Sequence, residues 1–76
     1  MKSFKVMLSS IVDVKNFVNI TNMFEFDIDL VSGRYVVDGK SLMGIFSLDL
    51  SKPIIMRVYS EDTELVRKEF KEFLVD

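Results

Sequence analysis

The sequence contains no histidine and no cysteine, only one proline (Pro53), and three glycines (Gly33, Gly39, Gly44). Without cysteine there is no disulfide framework and no thiolate nucleophile. A secreted domain this small usually needs such staples, so a reducing cytoplasm is the expected location. Without histidine no Ser/His/Asp triad can be built, and no phosphate-binding glycine loop or zinc-type ligand spacing appears. We therefore expect no metal, no cofactor and no enzymatic activity. The opening apolar run, Met1 to Leu8, is too short to read as a signal peptide. No stretch approaches the ~20 apolar residues that span a bilayer, so no membrane partner is expected. Basic excess is missing too. Ten Lys and Arg stand against twelve Asp and Glu, a net charge of −2. That argues against nucleic-acid binding, which needs a basic surface.

What is present is apolar residues, 49% of a 76-residue chain, including seven Phe and two Tyr. Disorder is unlikely at that hydrophobicity. The length suits one domain spanning residues 1–76. No linker, repeat or low-complexity segment divides it.

Phe4, Val6 and Leu8 alternate with Lys5 and Ser9, the period of a strand with one buried face. Ser9 or Ser10 then caps a helix over about Val12 to Met23, with Val14, Phe17, Val18 and Thr21 at i, i+3, i+4, i+7. Its β-branched and aromatic content also allows a strand there. Phe26, Ile28 and Leu30 alternate with Asp27 and Asp29 as a second strand. Ser32-Gly33 suits a tight hairpin turn, and Tyr35 to Val37 return as a third strand. Asp38-Gly39 ends it. Ser41 is a good N-cap for a short helix in which Leu42, Ile45 and Leu48 share a face while Met43 and Phe46 point elsewhere. Pro53 opens a fourth strand, Ile54 to Tyr59. Ser60 caps the last helix, with Glu61, Asp62 and Glu64 in its first turn. Val66, Phe70, Phe73 and Leu74 form its apolar stripe. Glu64 with Lys68, and Lys68 with Glu72, fall at ion-pair spacing. The order β-α-β-β-α-β-α, with one dry face per strand, predicts an α+β two-layer sandwich.

Lys40-Ser41-Leu42-Met43-Gly44-Ile45-Phe46-Ser47-Leu48 resembles the segment around the regulatory serine of HPr in Gram-positive bacteria, Lys-Ser-Ile-Met-Gly-Val-Met-Ser-Leu. Phe4-Lys5-Val6 and Asp27-Ile28-Asp29-Leu30 with the glycine hairpin resemble the same family. HPr is the histidine-containing phosphocarrier protein of the bacterial sugar phosphotransferase system. The resemblance covers nearly the whole chain, though only the part after Lys40 is specific. It implies an open-faced β-sandwich, a four-stranded antiparallel sheet in order 1-4-2-3 with three helices on one face. It also implies a role in sugar transport or carbon-catabolite control.

The departure is at the active centre. HPr reads Gly-Ile/Leu-His-Ala-Arg-Pro-Ala at its first helix. Here Ser9-Ser10-Ile11-Val12-Asp13-Val14-Lys15 stands there, shorter and without the histidine, arginine or proline. Ser10 falls near the histidine's place, and Lys15 is at best a loose substitute for the arginine. A phosphocarrier needs an imidazole nitrogen whose phosphoramidate passes its phosphate on. A serine ester would trap it. In these respects the chain resembles the catabolite-repression paralogues of HPr, which also lack the histidine.

The resemblance implies phosphorylation of Ser41 by an HPr kinase-like enzyme and binding of the product to a transcription regulator or to phosphotransferase components. A plain helix cap is the simpler role for Ser41, and the two are compatible. Met43 and Phe46 match apolar positions that family members use to dock partners, and Lys40 is grouped with them. Simple burial is the alternative for Met43 and Phe46. Asp27 and Asp29 face the same way, as a solvated sheet face does. Two other classes stay open: a binding or structural module that keeps only the fold, and a residual enzyme. The hydrophobicity also leaves a weak homodimer open, since a small domain can expose an apolar patch.

Overall fold

The computed structural model describes residues 1–75. Its elements run β1 (Lys2–Val6), α1 (Ile11–Thr21), β2 (Ile28–Ser32), β3 (Tyr35–Asp38), α2 (Leu42–Phe46), β4 (Ile54–Val58) and α3 (Thr63–Glu69). The element order is the one the periodicity predicts. One antiparallel sheet, ordered β1-β4-β2-β3, carries the three helices.

Strand alternation divides the sheet into two faces. Phe4 pairs with Met56, Met56 with Leu30, and Leu30 with Val37, a row on the helix side. The opposite side shows Lys5, Ile55, Val31 and Val36 in one row and Ser3, Arg57, Asp29 and Asp38 in the next. Between sheet and helices lie Val14 and Phe17 of α1, Ile45 of α2 and Val66 of α3, with Phe70 and Phe73 beyond α3. Phe17 is the hub: its ring centroid lies 5.3 Å from Phe70 and 5.6 Å from Phe73, the latter edge-on. Such tilted pairs add about 0.5–1.5 kcal/mol each beyond their buried area.

The hairpin between β2 and β3 turns on Gly33 and Arg34, closed by the Ser32–Tyr35 pair. Gly33 has φ of 61°. A two-residue hairpin loop with a positive φ at its first central residue favours glycine there. At the other end of β3, Gly39 donates its N–H to the Ile28 carbonyl at 2.7 Å. A Cβ on Gly39 would fall 2.8 Å from Ile28 Cγ2 and 2.9 Å from the Ile28 carbonyl oxygen. Only glycine lets the chain leave the sheet this closely.

Several boundaries differ from those the periodicity predicts. β1 ends at Val6, and Leu8 is buried in the loop that follows. β2 begins at Ile28, because Phe26 stacks on Phe24, centroids 4.8 Å apart, instead of joining the ladder. α1 begins at Ile11, and its N-cap is Ser10. α3 is capped by Asp62, whose carboxylate accepts from the Leu65 N–H at 3.0 Å. Ser60 instead accepts from the Asp62 N–H at 3.2 Å, a local turn before the helix. Glu61 and Asp62 thus precede α3, leaving Glu64 as the acid of its first turn. Glu64, Lys68 and Glu72 form no ion pair among the described residues; the ion pairs there join Glu61 to the Met1 ammonium and to Lys2.

Candidate functional site

Two helix N-termini carry the residues that the sequence singles out, and α1 packs against α2. At α1, Ser10 has extended backbone, φ −147° and ψ 165°, and its Oγ accepts from the Asp13 N–H at 3.0 Å. Asp13 replies. Its Oδ2 accepts from the Ser9 N–H at 3.2 Å and from the Ser9 hydroxyl at 2.9 Å. This is a capping box shifted by one residue, since the carboxylate reaches the residue before the cap. The positive end of the helix dipole already faces a carboxylate. A phosphoryl group on Ser10 would meet that negative charge at close range. The arrangement stabilises a helix start and disfavours an anion.

At α2, Ser41 has φ −107° and ψ 113°, and its Oγ accepts from the Gly44 N–H at 3.1 Å. The bond leaves the hydroxyl proton free to be donated or lost. No acidic residue lies in this helix's first turn. A carboxylate nevertheless stands before this cap as well, since Asp38 Oδ1 accepts from the Lys40 N–H at 2.9 Å.

The approach to Ser41 is tied down from α1. Buried Thr21 Oγ1 lies 2.9 Å from the Gly39 carbonyl and 3.1 Å from that of Val18, one proton facing two acceptors. Asn22 Nδ2 donates to the Lys40 carbonyl at 3.2 Å and to the Val18 carbonyl at 2.9 Å. Lys40 Nζ donates to the Phe24 carbonyl at 2.6 Å. Gly39 and Lys40 are therefore held against the end of α1 by Thr21 and Asn22. In this structure the Lys40 ammonium braces the backbone.

Beyond Ser41 the exposure pattern splits as the helical spacing requires. Ile45 and Leu48 are buried and Leu42 packs against the core. Met43 is 79% exposed and Phe46 40%. A flexible thioether and a phenyl ring thus face water on one five-residue helix, side chains of the kind that contact surfaces use. The reading by simple burial does not hold for Met43. Ile11 and Val12, at the start of α1, are 63% and 64% exposed. Sequence reasoning passed over them. The available signal was that both lie off the Val14, Phe17, Thr21 stripe, where a helix facing water normally carries polar residues.

The shifted titrations lie elsewhere. Tyr59 donates its hydroxyl to Asp29 Oδ2 at 2.9 Å, and that bond raises its phenol above the usual range. Ser51 donates its hydroxyl and N–H to Asp49 and holds that carboxyl below the usual range. Asp29 faces the open side of the sheet, as read from the sequence, and no acidic cluster fit for a metal occurs among the described residues. No described helix is long and apolar enough to cross a membrane.

No family model matches the sequence, and no curated protein does. Solved structures do match. HPr-C-His from Thermoanaerobacter tengcongensis superposes with a TM-score of 0.78 at 23% identity, over 95% of this chain and 89% of that one. The chain has the HPr fold. The phosphocarrier protein HPr of Bacillus anthracis gives a TM-score of 0.72 at 23% identity, over 97% and 96% of the two chains. A mycoplasma histidine-containing phosphocarrier protein gives 0.72 at 13% identity, over 93% and 89%. The HPr fold is thus kept across nearly the full length of both partners in each comparison, the sheet order 1-4-2-3 included.

Proposed function

We propose that this chain is a partner-binding regulator built on the HPr fold, related to the sugar phosphotransferase system but not a phosphocarrier. The observation that carries the reading is α2, with a half-buried serine cap at Ser41, bonded to the Gly44 N–H, followed by outward Met43 and Phe46. A kinase would transfer the γ-phosphoryl group of ATP to Ser41 Oγ, breaking its bond to the β–γ bridging oxygen, forming the serine ester and releasing ADP and the hydroxyl proton. The ester would add close to two negative charges at the start of a helix whose first turn carries no acid. The phosphate and the two apolar side chains would then form one recognition surface for a transcription regulator or a phosphotransferase component. Lys40 contributes by fixing the segment that presents Ser41. The first helix supports the other half of the proposal, since it offers no imidazole and its cap faces the Asp13 carboxylate. A cytoplasmic location follows from such partners.

The second reading is a protein-interaction module that keeps the fold without the pathway. The same α1 cap favours it.

The deciding experiment is intact-mass analysis after incubation with ATP and an HPr kinase, with peptide mapping and a competent HPr as control. One added phosphate on Ser41, absent from Ser41→Asn, supports the regulator. Asparagine caps a helix about as well as serine, so that variant keeps the fold while removing the hydroxyl. No phosphate on this chain while the control is labelled leaves the module.

A further inference from the structure

The two edges of the sheet are treated differently. Along β1, Val6 bridges to Leu74, and the Val75 N–H donates to the Lys5 carbonyl at 2.9 Å. The Met7 N–H donates to the Phe73 carbonyl at 2.9 Å. Residues 73–75 cover the Lys5–Met7 end of that edge. Along β3, no described strand pairs with the outer side, and Tyr35 and Val36 are exposed. An uncovered edge is a template for another strand.

The register says which groups it offers. The Gly39 N–H bonds to Ile28, so Ile28 with Gly39, Leu30 with Val37 and Ser32 with Tyr35 are the hydrogen-bonded pairs. In an antiparallel ladder these alternate with pairs whose N–H and C=O point away. Val36 therefore turns both its N–H and its C=O outward; Asp38 turns its N–H outward, while its carbonyl accepts from the Ser41 N–H at 3.1 Å.

From this edge we infer that the protein forms a homodimer by antiparallel pairing of β3 with β3 of a second copy, centred on Val36. The sequence of the edge, Arg34-Tyr35-Val36-Val37-Asp38, is complementary to its own reverse. A two-fold axis at Val36 sets Val36 against Val36, Tyr35 against Val37, and Arg34 against Asp38 of the second copy. The charges match twice by symmetry, and Arg34 has no ion-pair partner among the described residues. On the open face the apolar row Ile55, Val31, Val36 runs out to this edge, where Val36 is 54% exposed. Pairing joins it to the same row of the second copy and covers the outermost valine. The contact is isologous and closes at two chains.

The test is sedimentation equilibrium from about 10 µM to about 1 mM at low and high salt, a range that brackets a weak dimer. We expect a dimer weakened by salt. Arg34→Asp and Asp38→Arg should each weaken it about tenfold or more, because like charges then face each other across the strands. The double charge swap should restore it. Val36→Pro should give a monomer with the internal sheet intact, because proline is tolerated where the edge N–H faces outward. Circular dichroism checks that each variant folds. A monomer throughout, a dimer indifferent to both single reversals, or a double swap that fails to restore association would each overturn the inference.

Discussion

The Asp13 carboxylate closes over Ser9, accepting both its N–H and its hydroxyl, while Ser10 caps the same helix from the other direction. The start of α1 is thus satisfied by its own side chains. Ser10→Ala should therefore lower the unfolding free energy by about 1 kcal/mol, as loss of an N-cap generally does. Ser10→Asn, a neutral cap of similar strength, should keep most of it. Urea denaturation of the variants measures this directly. An unchanged midpoint for Ser10→Ala would mean that the cap contributes nothing and that Ser10 is held for another reason.

The exit from β3 gives a larger effect. Gly39→Ala places a methyl group 2.8 Å from Ile28 Cγ2 and 2.9 Å from the Ile28 oxygen, and one of those atoms is backbone. Overpacking of this kind costs about 1–3 kcal/mol. Thr21→Val keeps the shape and leaves the buried Gly39 carbonyl without its donor, a loss of about 1–3 kcal/mol. Both substitutions act on the segment that carries Ser41. Chemical-shift changes should therefore reach α2 in each variant. Changes confined to the neighbourhood of Thr21 would show that Ser41 is positioned independently.

Much of this was legible in the sequence, and the failures have physical causes. Ile28 and Leu30 inside, Val14 and Phe17 on one stripe, and Ser41 as a cap all follow from side-chain periodicity and hydrogen-bonding chemistry. Asp62 rather than Ser60 caps α3, because both residue types suit the role and only the backbone path chooses between them. Phe26 continues the alternation of β2 yet stacks on Phe24, a choice between two apolar partners that local pattern does not record. The cover of β1 by Leu74 and Val75 joins residues nearly a whole chain apart, so no local signal exists for it. At the site, Met43 and Phe46 were readable from helical spacing. The binding of Lys40 to the Phe24 carbonyl was not.

Met43 and Phe46 should separate binding from stability. Met43→Ala should change the unfolding free energy by no more than about 0.5 kcal/mol, the usual range for exposed positions. Phe17→Ala, at the centre of the core, should cost about 3–5 kcal/mol. If α2 is the partner surface, Met43→Ala and Phe46→Ala should each weaken capture of the partner by Ser41-phosphorylated protein while the thermal midpoint for Met43→Ala stays in place. A large drop in that midpoint would show that the thioether supports the fold, contrary to its exposure.

Tyr59 supplies a titration that reads the open face of the sheet. Its hydroxyl donates to Asp29, a bond that exists only while the phenol keeps its proton, so folding raises the phenol's pKa. The sign follows directly. A group whose pKa is higher in the folded state stabilises the fold below its unfolded pKa of about 10, and that contribution fades as pH rises through the folded value. Asp29→Asn removes the charge that opposes ionisation and weakens the bond. In that variant the ultraviolet titration of Tyr59, isolated by Tyr35→Phe, should move down toward the ordinary phenol range. The fall in stability across the alkaline window should become shallower as well. A Tyr59 titration identical with and without the Asp29 carboxylate would place the phenol in solvent and dissolve the pair.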